Sequence, residues 1–283
     1  MDLPFKPDYS EKVAVVTGGA GVLCREFCKA LAMCGAKVAV LNRTLSRAEA
    51  VVEEIKAMGG EAAAFAVNVT DRESVSAAHA AVLAKYGRCS ILINGAGGND
   101  PAATTDDEFF SIDTMKDEGK KSFFDLPMEG FYKVFDLNIL GTLIPTQEFA
   151  KDMVENEHGV ILNISSMNAF TPLTKIPAYS AAKSGVSNFT QWLAVHFAKC
   201  GIRVNAIAPG FFSTAQNAKL LWNDDGTPTA RTGKIINATP MGRFGVPEEL
   251  IGAVLFLTDD KSAGFVTGVV MPIDGGFSAY SGV

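Results

Sequence analysis

The chain has little with which to build a metal centre, a disulfide framework or a nucleic-acid surface. Its three histidines, His79, His158 and His196, are scattered and form no ligand cluster. The five cysteines (Cys24, Cys28, Cys34, Cys89, Cys200) are odd in number and show no CxxC spacing. That fits reduced thiols in a cytoplasm and neither a disulfide set nor a zinc site. Net charge is −6 without a basic stripe, which disfavours a nucleic-acid partner. No run of about 18 uncharged apolar residues occurs, so no membrane span is expected. The N-terminal Met1-Asp2-Leu3-Pro4-Phe5-Lys6 contains no signal-peptide apolar stretch. What remains is a soluble, enzyme-sized chain of the cytoplasm.

At 283 residues the chain can bury a large core, and α/β sheets of this length often form one domain. Apolar, β-branched runs alternate with helical patterns, which argues for βαβ units and a parallel sheet. Strands are expected at Val13–Val16, Lys37–Leu41, Ala62–Val67, Ile91–Ile93, Val160–Ile164 and Arg203–Ile207, with a seventh over Phe265–Met271. Helices are expected at Val22–Cys34, Ser46–Met58 and Ser74–Tyr86. The strands are apolar almost throughout, as in a sheet covered on both faces. The expected fold is therefore α/β, a doubly wound parallel sheet of about seven strands flanked by helices, in one domain over 1–283. Two stretches break the rhythm, about 97–130 and 211–240, and loops of that length tend to be lids or binding elements.

The most informative residues are Tyr179 and Lys183, with Ser166 upstream. Residues four apart share a helix face, so a phenol would sit beside an ammonium. A free tyrosine titrates near pH ~10, and a neighbouring cation favours its phenolate. A drop of ~3 units would take ~4 kcal/mol of differential interaction. Ser166 is placed to hold a carbonyl or hydroxyl oxygen against that phenol. This is a constellation for moving a proton on and off an alcohol.

A nucleotide site converges on the same strand ends. Thr17-Gly18-Gly19-Ala20-Gly21 follows the first strand, and Val22 and Leu23 open the first helix, where backbone amides approach a pyrophosphate. The second strand ends in Leu41-Asn42-Arg43 with no acid, so electrostatics favour the 2′-phosphate of NADP(H) over the free hydroxyl of NAD(H). Asn68 and Val69 end the third strand and border the adenine. Asn94-Gly95-Ala96-Gly97 ends the fourth, where small residues admit a flat ring or a neighbouring backbone. Pro209-Gly210, with Phe212 and Thr214 following, ends the sixth and is placed to hold the carboxamide. All lie at carboxyl ends of strands, where open α/β sheets bind ligands.

In this order, Thr17-Gly18, Asn94-Gly95-Ala96-Gly97, Asn138, Ser166, Tyr179, Lys183 and Pro209-Gly210 resemble the short-chain dehydrogenase/reductase family. The resemblance runs from Lys12 to Asp274-Gly275-Gly276. It implies a Rossmann-like enzyme in which Tyr179 is the general acid/base and Ser166 orients the substrate oxygen. It further implies that Lys183 lowers the tyrosine pKa and binds the nicotinamide ribose, while Asn138 helps hold a proton-relay water. A homotetramer with helices near 134–154 and 179–200 at its interfaces is implied too. The chain departs from the family pattern in three places. Val22 and Cys24 occupy two glycine positions of the TGxxxGxG loop, Asn68 replaces a common aspartate, and Asn94-Gly95 replaces an Asn-Asn pair.

Longer segments, among them Asn94–Thr105, Ser165–Pro172 and Gly275–Val283, resemble those of sugar-acid dehydrogenases. They imply a hexonic or hexuronic acid as substrate. Asn99, Asn168, Thr171, Gln216 and Asn217 offer polar partners for its hydroxyls, and Lys175 or Arg243 a cation for its carboxylate. Other substrates of the same chemistry, a non-catalytic nucleotide-binding regulator, and an epimerase or dehydratase are the rival readings.

Overall fold

The computed structural model of the chain describes residues 3–213 and 221–282. Seven strands form one parallel sheet: β1 (Val13–Thr17), β2 (Lys37–Asn42), β3 (Glu61–Ala66), β4 (Ile91–Asn94), β5 (Gly159–Ile164), β6 (Ile202–Pro209) and β7 (Val270–Ile273). Their spatial order is β3-β2-β1-β4-β5-β6-β7. The chain winds outward from β1 to β3 and then returns to the other side of β1. The order therefore reverses between β1 and β4, which leaves a crevice above their carboxyl ends.

Register places Val15 beside Ala39 on one side and Leu92 on the other. Every residue of β1, β4 and β6 is buried, which explains why they are mostly apolar. Helices α1 (Val22–Met33), α2 (Leu45–Ala57) and α3 (Arg72–Tyr86) make the first crossovers. After β4 come the short α4 (Ile112–Lys116), then α5 (Met128–Phe135) and α6 (Gly141–Glu155). Helix α7 (Pro177–Phe197) links β5 to β6, and α8 (Ala230–Asn237) and α9 (Ile251–Thr258) precede β7. One face of the sheet buries Phe27, Leu31, Ile55 and Leu255 from α1, α2 and α9. The other buries Val75, Phe149, Met153 and Leu193 from α3, α6 and α7. Each such side chain is worth about 1.5–3 kcal/mol of burial, so the two clusters together fix the three-layer arrangement.

The seventh strand is displaced from its expected position. Phe265 is fully exposed and Gly268 holds φ 79° in a turn, so Val270 is the first strand residue. The stretch 97–130 is also more ordered than a bare loop. It carries 3-10 turns at Pro101–Ala103 and Phe123–Asp125 as well as α4, whose N-cap Ser111 accepts from Thr114 N–H. In the second stretch α8 is capped by Thr229. The Lys234 ammonium, 2.7 Å from Glu108 Oε1, ties the two together. Among the described residues no helix is long and apolar enough to cross a membrane, and no group of His, Cys, Asp and Glu is arranged to hold a metal.

Candidate active site

Helix α7 begins with Pro177 at its first turn, where a missing N–H does no harm. Two residues later comes Tyr179, which lines the same crevice as Ser166. Ser166 is itself held at the exit of β5, where its Oγ accepts from Asn168 N–H at 3.2 Å. Lys183, one turn on and 5% exposed, places Nζ 5.7 Å from the Tyr179 ring centroid and donates to the Ile164 carbonyl at 2.7 Å. The three side chains expected to work together are thus assembled.

Their electrostatics differ from expectation. Burial pushes the Tyr179 phenol above its ordinary pKa, with the Ser166 hydroxyl opposing it. Burial also drives the Lys183 amine down to about 8. Desolvation disfavours charge on both groups, and the amine lies too far from the phenol to reverse that. At neutral pH the phenol keeps its proton and the amine is still mostly charged, within about one pH unit of its midpoint.

Asn138 is fully buried in a π-turn, Asp136–Leu140, between α5 and α6. Its Nδ2 donates to the carbonyls of Val134 (2.7 Å) and Gly98 (2.8 Å), and its Oδ1 accepts from Gly98 N–H at 3.2 Å. The carboxamide is thereby bolted to the segment leaving β4. Gly97 fits between Asn138 and Lys183. A Cβ there would stand 2.7 Å from Asn138 Oδ1 and 3.0 Å from Lys183 Nζ.

The crevice beside these groups has a volume of about 380 Å³. Gly18, Gly21, Val22 and Leu23 line one wall, Gly95 and Gly97 the next, and Pro209, Gly210 and Phe212 a third. Gly18 holds φ 62°, and a Cβ on it would press the Ala96 backbone at 2.9 Å. Helix α1 has no side-chain cap at Gly21, so its first-turn amides stay open to the crevice. Uncapped amides above a glycine floor suit a dinucleotide pyrophosphate. Gly19 faces away, against Val40, and serves packing.

Other expected residues occupy less direct places. Asn94 turns its carboxamide into the sheet layer, where Nδ2 donates to Thr146 and Asn163 at 2.9 Å each. Asn68 spends its Oδ1 on the Thr70 amide and hydroxyl, and Val69 is buried against Gly141. Asn42 donates to Thr44 O at 3.0 Å, while Arg43 is exposed beside it. Thr17 is buried, and its Oγ1 accepts from the N–H groups of Gly95 (3.1 Å) and Ala96 (3.3 Å).

On the substrate side, Asn99 donates to Thr104 Oγ1 and Asn168 is buried, with Oδ1 unpartnered. Lys175 adopts φ 72° and lines a separate pocket with Thr105, Asp107, Glu108 and Phe123. Arg243 is engaged bidentately by Glu249, at 2.6 and 2.8 Å. Thr214, Gln216 and Asn217 lie outside the described residues. Sequence reasoning missed Phe211, Ile164 and Ser165 as lining residues, and it treated Cys24 only as a small substitute for glycine.

The model of the short chain dehydrogenase family matches residues 12–224. The chain belongs to the short-chain dehydrogenase family. It is an oxidoreductase acting on CH–OH donors, in a family that uses NAD or NADP. The crystal structure of a protein from Haemophilus influenza, assigned as a D-mannonate oxidoreductase and carrying bound NAD, superposes with a TM-score of 0.94 at 53% identity over 98% of both chains. An uncharacterized oxidoreductase, UxuB, from Bacillus subtilis is 51% identical over 99% of this chain and all of its own. A 2-dehydro-3-deoxy-D-gluconate 5-dehydrogenase from Formosa agariphila is 32% identical over 97% of this chain and 96% of its own.

Proposed function

We propose that this short-chain dehydrogenase interconverts a keto and a hydroxy sugar acid, namely D-fructuronate and D-mannonate. The observation that carries the reading is the convergence of Tyr179, Ser166 and the buried Lys183 on one glycine-floored crevice. The choice of substrate is supported by the 53% identity to the protein assigned as a D-mannonate oxidoreductase. The 2-dehydro-3-deoxy-D-gluconate 5-dehydrogenase relative supports the alternative, a gluconate-type keto acid with the same chemistry. A non-catalytic regulator would have no use for this arrangement of phenol, hydroxyl and amine.

A nicotinamide dinucleotide supplies or takes up hydride when bound. Thr17, Gly18, Gly21, Val22 and Leu23 would hold its pyrophosphate, and Lys183 its ribose. The protein's own residues then handle the oxygen. Ser166 donates a hydrogen bond to the substrate carbonyl, which polarises it and fixes its distance from Tyr179. In the reductive direction Tyr179 gives up its hydroxyl proton to that oxygen, and in the oxidative direction it takes the proton back. A phenol raised by burial holds its proton until the developing alkoxide demands it. Asn138 keeps the exit of β4 in register with Lys183 and lines the route by which the proton is replaced. Positioning and oxyanion stabilisation provide most of the barrier reduction.

Arg43, exposed at the end of β2 with no acid beside it, favours NADP(H) as the cofactor. The likeness to a protein holding NAD makes NAD(H) the competing choice. A homotetramer through α6 and α7 is part of the proposal. The exposed Trp192 and Val195, 56% and 80% accessible on α7, give that helix an apolar face to cover.

Tyr179→Phe tests the reading. The variant should fold and bind dinucleotide yet lose turnover by about 10²–10⁴-fold, followed by nicotinamide absorbance with D-fructuronate. Near-normal turnover would remove Tyr179 from the role. Michaelis constants for NADH and NADPH in the wild type decide the cofactor in the same assay.

A further inference from the structure

We propose that Cys24 is a positioning residue for the Lys183 amine, acting through the glycine run that leaves β4. Two departures from the family pattern, 71 residues apart, meet in space. Cys24 stands where the glycine loop ordinarily has glycine, and Gly95 stands where asparagine is usual. A methyl placed on Gly95 would land on the Cys24 sulfur. The thiol thus fills the volume that a side chain at 95 would take.

The same backbone is also gripped by Thr17. Its hydroxyl accepts from Gly95 and Ala96 N–H, and its carbonyl lies 2.8 Å from the Cβ position of Gly95. A Cβ on Gly18 would stand 2.9 Å from the Ala96 backbone. Held in this way, the run delivers Gly97 against Asn138 and Lys183. Cys24 also lines the crevice beside Lys183, where its sulfur occupies space that water would otherwise fill.

The groups facing the amine are the Tyr179 ring on its own helix, the Ile164 carbonyl of β5, the Asn138 carboxamide and Gly97, and Cys24 from α1. Tyr179 and Cys24 are the titratable ones among them. The Cys24 thiol, pushed by burial up to about 12 with only a slight lowering by Lys183, stays neutral. Its influence on the amine is therefore steric and through dehydration. Such a thiol is unreactive, which separates this role from redox or nucleophilic chemistry.

The proposal relies on the preceding section only in counting Lys183 as part of the site. Both readouts below use substrate-free protein, so a mistaken substrate does not affect them. In lysine Cε-labelled, dinucleotide-free protein, with the resonance assigned by Lys183→Met, Cys24→Ala should raise the Lys183 titration midpoint by about one unit as water enters. Cys24→Ser, which keeps an atom in that volume, should recover most of the wild-type midpoint. By calorimetric titration with the dinucleotide, Gly95→Ala should bind roughly tenfold or more weakly because of overpacking. Cys24→Ala/Gly95→Ala should recover most of that loss. An unchanged Lys183 midpoint in Cys24→Ala would overturn the proposal, and so would a double variant that binds no better than Gly95→Ala. Should Gly95→Ala fail to fold, the Cys24→Ala titration decides alone.

Discussion

Replacing Lys183 by Met should make the unliganded fold more stable while abolishing turnover. The amine is 5% exposed, and burial brings it from 10.5 down to about 8. At about 1.4 kcal/mol per pH unit, that fall represents about 3 kcal/mol by which the folded state disfavours the ammonium. Methionine fills similar volume without the charge, but it leaves the Ile164 carbonyl without the donor now at 2.7 Å, a loss of about 1 kcal/mol. The net expectation at pH 7 is a gain of about 2 kcal/mol, since burial outweighs the single hydrogen bond. The sign with pH follows from linkage. Below about pH 8 the lysine is charged in both states and the full penalty is present. As pH rises from there to about 10.5 the folded amine is already neutral while the unfolded one still holds its proton, so the penalty fades. Urea unfolding of both proteins without dinucleotide, at pH 7 and pH 10, measures the difference directly. A variant less stable than wild type at pH 7, or an equal gap at both pH values, would refute the reasoning. A positive result would mark Lys183 as a group kept for its chemistry at the expense of stability.

Two further substitutions probe the scaffold. Gly97→Ala should reduce kcat by about 10²-fold with a near-wild-type melting temperature, because the pinned Asn138 cannot retreat from a methyl 2.7 Å away and Lys183 must shift instead; unaltered kcat would show that the amine needs no such seat. Asp260→Asn should destabilise the fold by about 2 kcal/mol and lower the melting temperature by a few degrees, since Arg203, at 11% side-chain exposure, loses its carboxylate. Burial opposes ionisation of Asp260, but His158, Lys12 and Arg203 outweigh it and hold its pKa low. The carboxylate's contribution is therefore present above about pH 4 and lost in acid, and a wild-type melting curve indifferent to pH 3–5 at this site would contradict it.

Much of the sheet was legible because strands such as Val13–Thr17 and Ile91–Asn94 are buried on both faces and are therefore mostly apolar. The seventh failed for a local reason. Phe265-Val266-Thr267 has strand-like composition, yet the positive φ of Gly268 makes the segment a turn. Spacing put Tyr179 beside Lys183, because a helix keeps residues four apart together, and the family resemblance supplied their roles. Their pKa values were not legible, because desolvation depends on how helices α5 and α7 close around them and no spacing records that. Asn94 illustrates the same limit. Its place at a strand end was correct, but strand parity directs the carboxamide to Asn163 and Thr146. The Cys24 and Gly95 departures looked like two separate weakenings of a motif, and only the fold turns them into one exchange of volume.

The π-turn at Asp136–Leu140 has a consequence for how this helix serves two masters. One extra residue in a helical turn rotates everything downstream by about 100°. Ahead of the turn, Val134 supplies a carbonyl to fasten Asn138. Beyond it, Ile144, Phe149 and Met153 face the sheet and fill its core. Excising a single residue there would bring these two faces back into one phase. Either the carboxamide or the aromatic core would then point the wrong way, so the wound-in irregularity acts as a gearbox between the reacting end of the helix and its anchored end.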